Sequence, residues 1–302
     1  MNAEQSAIEP ALHRIRVNGV ELAYWERGTK RPDLPTLLFV HATGFHGRVF
    51  DRVIDSFPEF HSIALEQRGH GRSENVPIRH WQSQGEDVEA FIRALSLNRL
   101  IGIGHSMGGH ALVDAAAKCD AFARLVLLDP TIAAPEAYGE VAPLMPVDGA
   151  VHPAARRKND FASPEEMIER LLPKGAYRLF EPRILDDYCR YGLVPKTDGR
   201  FELACPPEVE ASVYMTSRSN GGIYDSLHSL EIPVTLMRAM EPAADADRGD
   251  FSFSPTWPGL VGEFRKGREF YMPDCTHFIP MQMPDEVIRV LREEVAGWHE
   301  QH

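Results

Sequence analysis

Apolar positions in the first half of the chain alternate between two periods. His13–Val17 and Val20–Trp25 carry the two-residue alternation of strands, and Asn18-Gly19 between them is a strong two-residue hairpin turn. Thr36–Val40, Ser62–Leu65, Leu100–Ile103 and Leu125–Leu128 are short apolar runs, the signature of strands buried on both faces. Between them the period changes to 3.6. Arg48–Phe57 places Val49, Phe50, Val53, Ile54 and Phe57 at helical spacing, and Trp81–Leu95 does so with Val88, Phe91, Ile92 and Leu95. His110–Lys118 is alanine-rich and helix-like. Strands alternating with helices predict a mostly parallel sheet covered by helices on both faces. In such sheets ligands bind at the carboxyl ends of the strands.

The rhythm breaks over 131–230. Segments there read as helices separated by prolines. Ser163-Pro164-Glu165-Glu166 is a helix start, with a serine cap, proline at the first helical position and glutamate at the third. Glu181–Tyr191 is a second helix, with Gly192 placed to end it, and Pro206–Thr216 is a third. We read 131–230 as a helical cap inserted into a core made of 1–130 and 231–302. The sheet resumes at Pro233–Met237 and Glu269–Met272, with a loop-like stretch, Ala243–Trp257, between them. Asp285–Trp298 is a closing amphipathic helix.

One turn in this pattern carries chemistry. Gly104-His105-Ser106-Met107-Gly108 is a G-x-S-x-G frame with a strand before it and a helix after it. A sharp strand-to-helix turn puts the central serine in a strained backbone conformation, and glycines on either side remove the side chains that would clash. The serine hydroxyl then projects above the sheet, beside the backbone N–H groups that open a helix. Ser106 is therefore the candidate nucleophile.

A serine nucleophile needs a base, and histidine titrates near neutrality. His277 lies in Thr276-His277-Phe278-Ile279-Pro280, just past the last expected strand, and follows Ser106 in chain order. The third member must be a carboxylate that fixes the imidazole tautomer. Two positions compete. Asp129 follows the strand Leu125–Leu128 directly; Glu241 is the nearest carboxylate after Pro233–Met237, with Asp245 and Asp247 a little further on. The loop His41-Ala42-Thr43-Gly44-Phe45 follows Leu37–Val40. A backbone N–H from it, from Thr43 first and Ala42 or Phe45 as alternatives, would complete an oxyanion hole with the N–H of Met107. The charges of Glu66–Ser73 fit a role in holding a tight loop. Trp25, Trp81 and Trp257 fit core or pocket walls. The cap aromatics Phe161, Tyr177, Phe180, Tyr188 and Tyr214, with Leu171, fit an apolar pocket or the cap's own core.

Composition narrows the partners. The 302 residues are 43% hydrophobic and 25% charged, ample for a globular core. A formal charge of −12 disfavours phosphate contacts, so nucleic acid is not an expected partner. Cys119, Cys189, Cys205 and Cys275 show no C-x-x-C pair and no zinc spacing, so no metal site is expected. No run is long enough to span a membrane, and Met1–Arg16 lacks a signal-peptide core. These features lead to the expectation of a cytoplasmic protein.

Together the motifs resemble the α/β-hydrolase family. The matching segments are Val40-His41-Ala42-Thr43-Gly44, Gln67-Arg68-Gly69-His70-Gly71-Arg72-Ser73, Gly104–Gly109 and Thr276–Pro280, in the family's order and over most of the chain outside the cap. The resemblance implies a central, mostly parallel sheet of about eight strands, an inserted helical cap and cofactor-free hydrolysis. It also implies Ser106 as nucleophile and His277 as base. Three features depart from it. His41-Ala42 stands where many members have His-Gly, Glu66 where aspartate is frequent, and Arg238-Ala239-Met240-Glu241 where a Gly-x-x-Asp turn is common. Some members, including lactonase-like ones, use a carboxylate after the earlier strand, which favours Asp129. The expected activity is hydrolysis of a small-molecule carboxylic ester or lactone through an acyl-enzyme. A C–C bond hydrolase or lyase using the same residues is one alternative, and a non-catalytic ligand receptor is another. Dehalogenase and epoxide hydrolase chemistry needs an aspartate at the position of Ser106.

Overall fold

The computed structural model describes residues 9–138, 152–242 and 252–299. The chain opens with β1 (Ala11–Val17) and β2 (Val20–Arg27), then β3 (Thr36–Val40), a single helical turn α1 (Asp51–Ile54), β4 (Ser62–Glu66), α2 (Gln82–Ala94), β5 (Leu100–His105), α3 (Met107–Ala116) and β6 (Phe122–Leu128). After β6 come α4 (Pro164–Leu171), α5 (Pro182–Tyr191), the short strands β7 (Leu193–Pro195) and β8 (Phe201–Leu203), α6 (Pro207–Met215) and α7 (Ile223–Ser229). The chain then returns through β9 (Val234–Arg238), β10 (Gly267–Tyr271), α8 (Ile279–Gln282) and α9 (Pro284–His299).

Eight strands form one sheet in the order β1-β2-β4-β3-β5-β6-β9-β10. The β1–β2 and β2–β4 pairs are antiparallel, and every other pair is parallel. The hairpin turn has Asn18 at φ 47° and Gly19 at φ 75°, the left-handed pair that a right-twisted two-residue hairpin requires.

The central strands bury both faces, which is why they read as unbroken apolar runs. Leu37, Phe39, Ile101, Ile103, Val126 and Leu128 face one core, with Val49, Phe50, Val287 and Leu291. Leu38, Val40, Ile63, Leu65, Leu125 and Leu127 face the other, with Val88, Phe91, Ala111 and Leu112. Ile223 and Leu227 of α7 join this second core.

Three local features differ from the sequence pattern. Arg48–Phe57 makes only a 3-10 turn (Gly47–Phe50) and the one turn of α1, although its apolar residues are all buried. Pro58 disfavours helical backbone at Phe57 and stops the run. The helix after the serine starts at Met107, three residues before the alanine-rich stretch. Between β6 and β9 the inserted region contains helices and also a two-stranded sheet, β7–β8, extended by a bridge from Phe161 to Phe201. Strands of three residues are too short to show a period. The start at Ser163 is as expected, with Ser163 Oγ accepting the Glu166 N–H at 3.3 Å. Asp245 and Asp247 lie outside the described residues.

Candidate active site

Ser106 sits between β5 and α3 at φ 56°, ψ −118°, a strained conformation for a residue with a side chain. What holds it there is close packing on all sides. A Cβ on Gly108 would lie 2.1 Å from Val40 O, and one on Gly104 would lie 2.7 Å from Gly108 O. Only hydrogen at these positions lets the first turn of α3 press against the end of β3. The Ser106 N–H donates to Leu128 O at 3.0 Å, which fixes the turn to the neighbouring strand.

From this turn a chain of hydrogen bonds runs inward. His277 Nε2 is 3.0 Å from Ser106 Oγ, and His277 Nδ1 is 2.6 Å from Asp129 Oδ2. Asp129 follows β6 at φ 48° and is fully buried. Its other oxygen, Oδ1, accepts the Ala239 N–H at 3.0 Å and the Ser254 hydroxyl at 2.6 Å. A carboxylate in this setting only accepts, so His277 carries its proton on Nδ1 and leaves Nε2 bare to accept from Ser106. The loop bearing His277 is pinned twice: its N–H donates to Ser252 O at 2.8 Å, and its carbonyl accepts from His105 Nε2 at 2.9 Å. Burial, followed by the proximity of His277, keeps His105 well below the ordinary histidine range, so it serves as a neutral strut.

Glu241 stands elsewhere. It is exposed, and its carboxylate accepts from Arg238 Nη1 at 2.8 Å. Arg238 also binds Glu269 of β10 at 2.8 Å, so one guanidinium ties Glu241 to the neighbouring strand. The structure brings Asp129, not Glu241, to His277.

Thr43 and Met107 meet above the turn, where Thr43 Oγ1 lies 3.7 Å from Met107 Sδ. Met107 is the first residue of α3, where backbone N–H groups have no acceptor within the helix. The Thr43 loop is locked to the loop after β4. Gln67 Nε2 donates to His41 O at 2.6 Å, and the Gln67 N–H donates to His41 Nε2 at 3.0 Å. The charges of the Glu66–Ser73 loop are spent on structure. Glu66 accepts from Trp25 Nε1 at 2.8 Å and from the Arg72 N–H at 2.5 Å, and Arg68 pairs with both oxygens of Asp87.

Aromatic rings join three elements around this site. Phe45 of the loop after β3 packs 4.7 Å from Tyr188 and 5.8 Å from Phe278, centroid to centroid. Phe278 follows His277, and Phe180 lies 5.4 Å from it. Tyr177, Phe180 and Tyr188 of the inserted region thus cover the loops that carry Thr43 and His277. Arg157 binds Glu210 and the Tyr188 hydroxyl, the latter at 3.2 Å. Trp81 is core, its indole N–H donating to Val213 O at 2.9 Å.

Three further residues touch this chain of hydrogen bonds, and none had an expected role: Ser254, His105 and Thr131. Thr131 Oγ1 lies 3.0 Å from Ser106 Oγ. Its place two residues past Asp129, at a strand end, was the available signal; for Ser254, in the loop after β9, there was none. Among the described residues, no group of three or more His, Cys, Asp or Glu side chains is arranged to hold a metal ion, and no helix is long and apolar enough to cross a membrane. The four cysteines are free thiols.

The sequence and the fold are similar to those of known proteins. A family model described as "Alpha/beta hydrolase family" matches residues 37–290. The chain is 27% identical over 267 residues to "Lipase LipV" of Mycobacterium tuberculosis, covering 86% of this chain and 93% of that protein. The solved structure of E-2-(acetamidomethylene)succinate hydrolase superposes with a TM-score of 0.73 at 20% identity, covering 94% of this chain and 98% of that one. A thermophilic esterase from Thermogutta terrifontis superposes with a TM-score of 0.66 at 20% identity, covering 96% and 99%.

Proposed function

The chain belongs to the alpha/beta hydrolase family, and from that premise we propose that it is a cofactor-independent serine hydrolase of a small-molecule carboxylic ester or lactone. The observation that carries this reading is the unbroken chain Ser106 Oγ–His277 Nε2 and His277 Nδ1–Asp129 Oδ2, at 3.0 and 2.6 Å. Esterase- and lipase-type relatives support the substrate class.

In this reading Ser106 Oγ attacks the carbonyl carbon as its proton passes to His277 Nε2. The carbonyl electron pair moves onto oxygen, where the N–H groups of Met107 and Thr43 stabilise it. Asp129 stabilises the imidazolium without taking its proton. Collapse of the tetrahedral intermediate breaks the bond to the alcohol oxygen, which takes the proton from His277. Water then repeats the sequence on the acyl-enzyme, with His277 again as base. Loss of one oxyanion donor costs ~10²–10³ in rate. We assign 131–230 to a cap whose aromatic side chains shape the site for the substrate. The test is turnover of p-nitrophenyl butyrate by the wild type and by Ser106→Ala, with loss of turnover expected in the variant.

A further inference from the structure

Ser106 Oγ has two side-chain neighbours, His277 Nε2 and Thr131 Oγ1, each at 3.0 Å. The direction of both bonds follows from the network. His277 donates its Nδ1–H to Asp129 Oδ2, so Nε2 must accept, and the single hydroxyl proton of Ser106 points there. Ser106 Oγ is left as an acceptor, and the Thr131 hydroxyl is the donor.

The backbone of Thr131 is itself held on two sides. Its N–H donates to Ser106 O at 3.1 Å. Its carbonyl accepts from His110 Nδ1 at 3.2 Å. A carbonyl cannot donate, so His110 is protonated on Nδ1, and its Nε2 accepts from Asn220 Nδ2 at 3.1 Å. Burial pushes His110 down to about 4, so it remains neutral at ordinary pH and keeps this tautomer. The edge of Trp81 lies against the ring, with centroids 4.9 Å apart. A line of oriented donors therefore runs from Asn220 in the inserted region, through His110 of α3, to Thr131 and the serine.

We propose that Thr131 is a positioning residue for the nucleophile: its hydroxyl donates to Ser106 Oγ, holds that oxygen on the line to His277, and stabilises the negative charge that grows on Oγ as its proton leaves. The inference rests on the serine-hydrolase reading. Thr131 keeps its own proton throughout, and the new bond is still Ser106 Oγ to the carbonyl carbon. Two alternatives would leave the reaction unaffected: a space-filling role for the Thr131 methyl group, and a purely backbone role through its N–H and carbonyl.

The experiment compares wild type, Thr131→Val and Thr131→Ser, using p-nitrophenyl butyrate kinetics and the rate of Ser106 labelling by a fluorophosphonate. Valine keeps the shape and removes the donor; serine keeps the donor. Expected is an about tenfold fall in kcat and in labelling rate for Thr131→Val, with KM within about twofold and recovery to within about threefold in Thr131→Ser. If Thr131→Val fails to fold, Thr131→Ala set against Thr131→Ser gives the same comparison. A reactive wild type with an equally reactive valine or alanine variant overturns this inference alone. So does a serine variant as impaired as the valine one. A wild type that neither turns over the ester nor takes the probe overturns the serine-hydrolase reading and this inference with it.

Discussion

His277 and Asp129, 148 residues apart in the chain, meet at 2.6 Å through Nδ1 and Oδ2. That contact selects the carboxylate after β6 over the one after β9. It also fixes which imidazole nitrogen is free to serve Ser106, because Ala239 and Ser254 occupy Oδ1 of Asp129 and leave His277 only its Oδ2, a carboxylate oxygen that can accept but not donate.

Asp129→Asn should therefore disable the site while leaving the fold intact. An amide at this position presents a donor to His277 and favours the tautomer with its proton on Nε2, where it cannot accept from Ser106. The expected loss in kcat on p-nitrophenyl butyrate is ~10³–10⁴-fold. Glu241→Gln, changing an exposed residue tied to Arg238, should stay within about twofold. The reverse ranking would move the acid to the later strand.

Gly108→Ala sets two effects against each other. Helix propensity favours alanine by about 1 kcal/mol. The new Cβ, however, would sit 2.1 Å from Val40 O, a backbone atom that cannot step aside cheaply. Overpacking of this kind costs roughly 1–3 kcal/mol or more, so the steric term wins and urea unfolding should show a net loss. Gly262→Ala is the control. Nothing lies within 4 Å of its Cβ position, and its stability should change by less than about 0.5 kcal/mol. Equal stability of the two variants would contradict the packing account of the serine turn.

A second carboxylate gives a pH signature. Burial, then the nearby Asp51, pushes Asp187 of α5 up to about 7, against partial relief from Arg183 and Arg48. Asp187 Oδ2 stands 3.9 Å from Arg183 Nε, too far for a hydrogen bond. Between its ordinary value of 3.8 and about 7 the folded protein keeps a proton that the unfolded chain has released. Its contribution to stability therefore falls as pH rises through that window, and the full penalty applies above it. Asp187→Asn removes the titration. Its Tm should exceed that of the wild type by more at pH 8.5 than at pH 5, and an equal difference at both would sink the assignment.

Local signals were strong where chemistry and backbone demand coincide. Asn18-Gly19 reads as a hairpin because two left-handed residues are needed there, and Ser163-Pro164 reads as a helix start because its cap is local. Gly104-His105-Ser106-Met107-Gly108 is legible because the glycines are a steric requirement of the turn itself. Asp129 was legible only as one of two carboxylates. Choosing between it and Glu241 depends on which one the folded sheet turns toward His277, and Arg238 decides the fate of Glu241 through contacts with Glu269 that span β9 and β10. Ser254 and His105 act through side chains brought together from separate parts of the chain, and no spacing encodes that meeting, while Thr131 carries only the weak signal of its place two residues past Asp129. The three-residue strands β7 and β8 carry too few residues to show a pattern.

The central claim is that Ser106 is an activated nucleophile. Its most direct measurement is p-nitrophenyl butyrate turnover by wild type and Ser106→Ala, with mass mapping of the fluorophosphonate adduct on both proteins. Turnover and a single adduct on Ser106 are expected in the wild type, and neither in the variant. Wild-type turnover retained in Ser106→Ala, or a wild type whose Ser106 remains unlabelled, would contradict it.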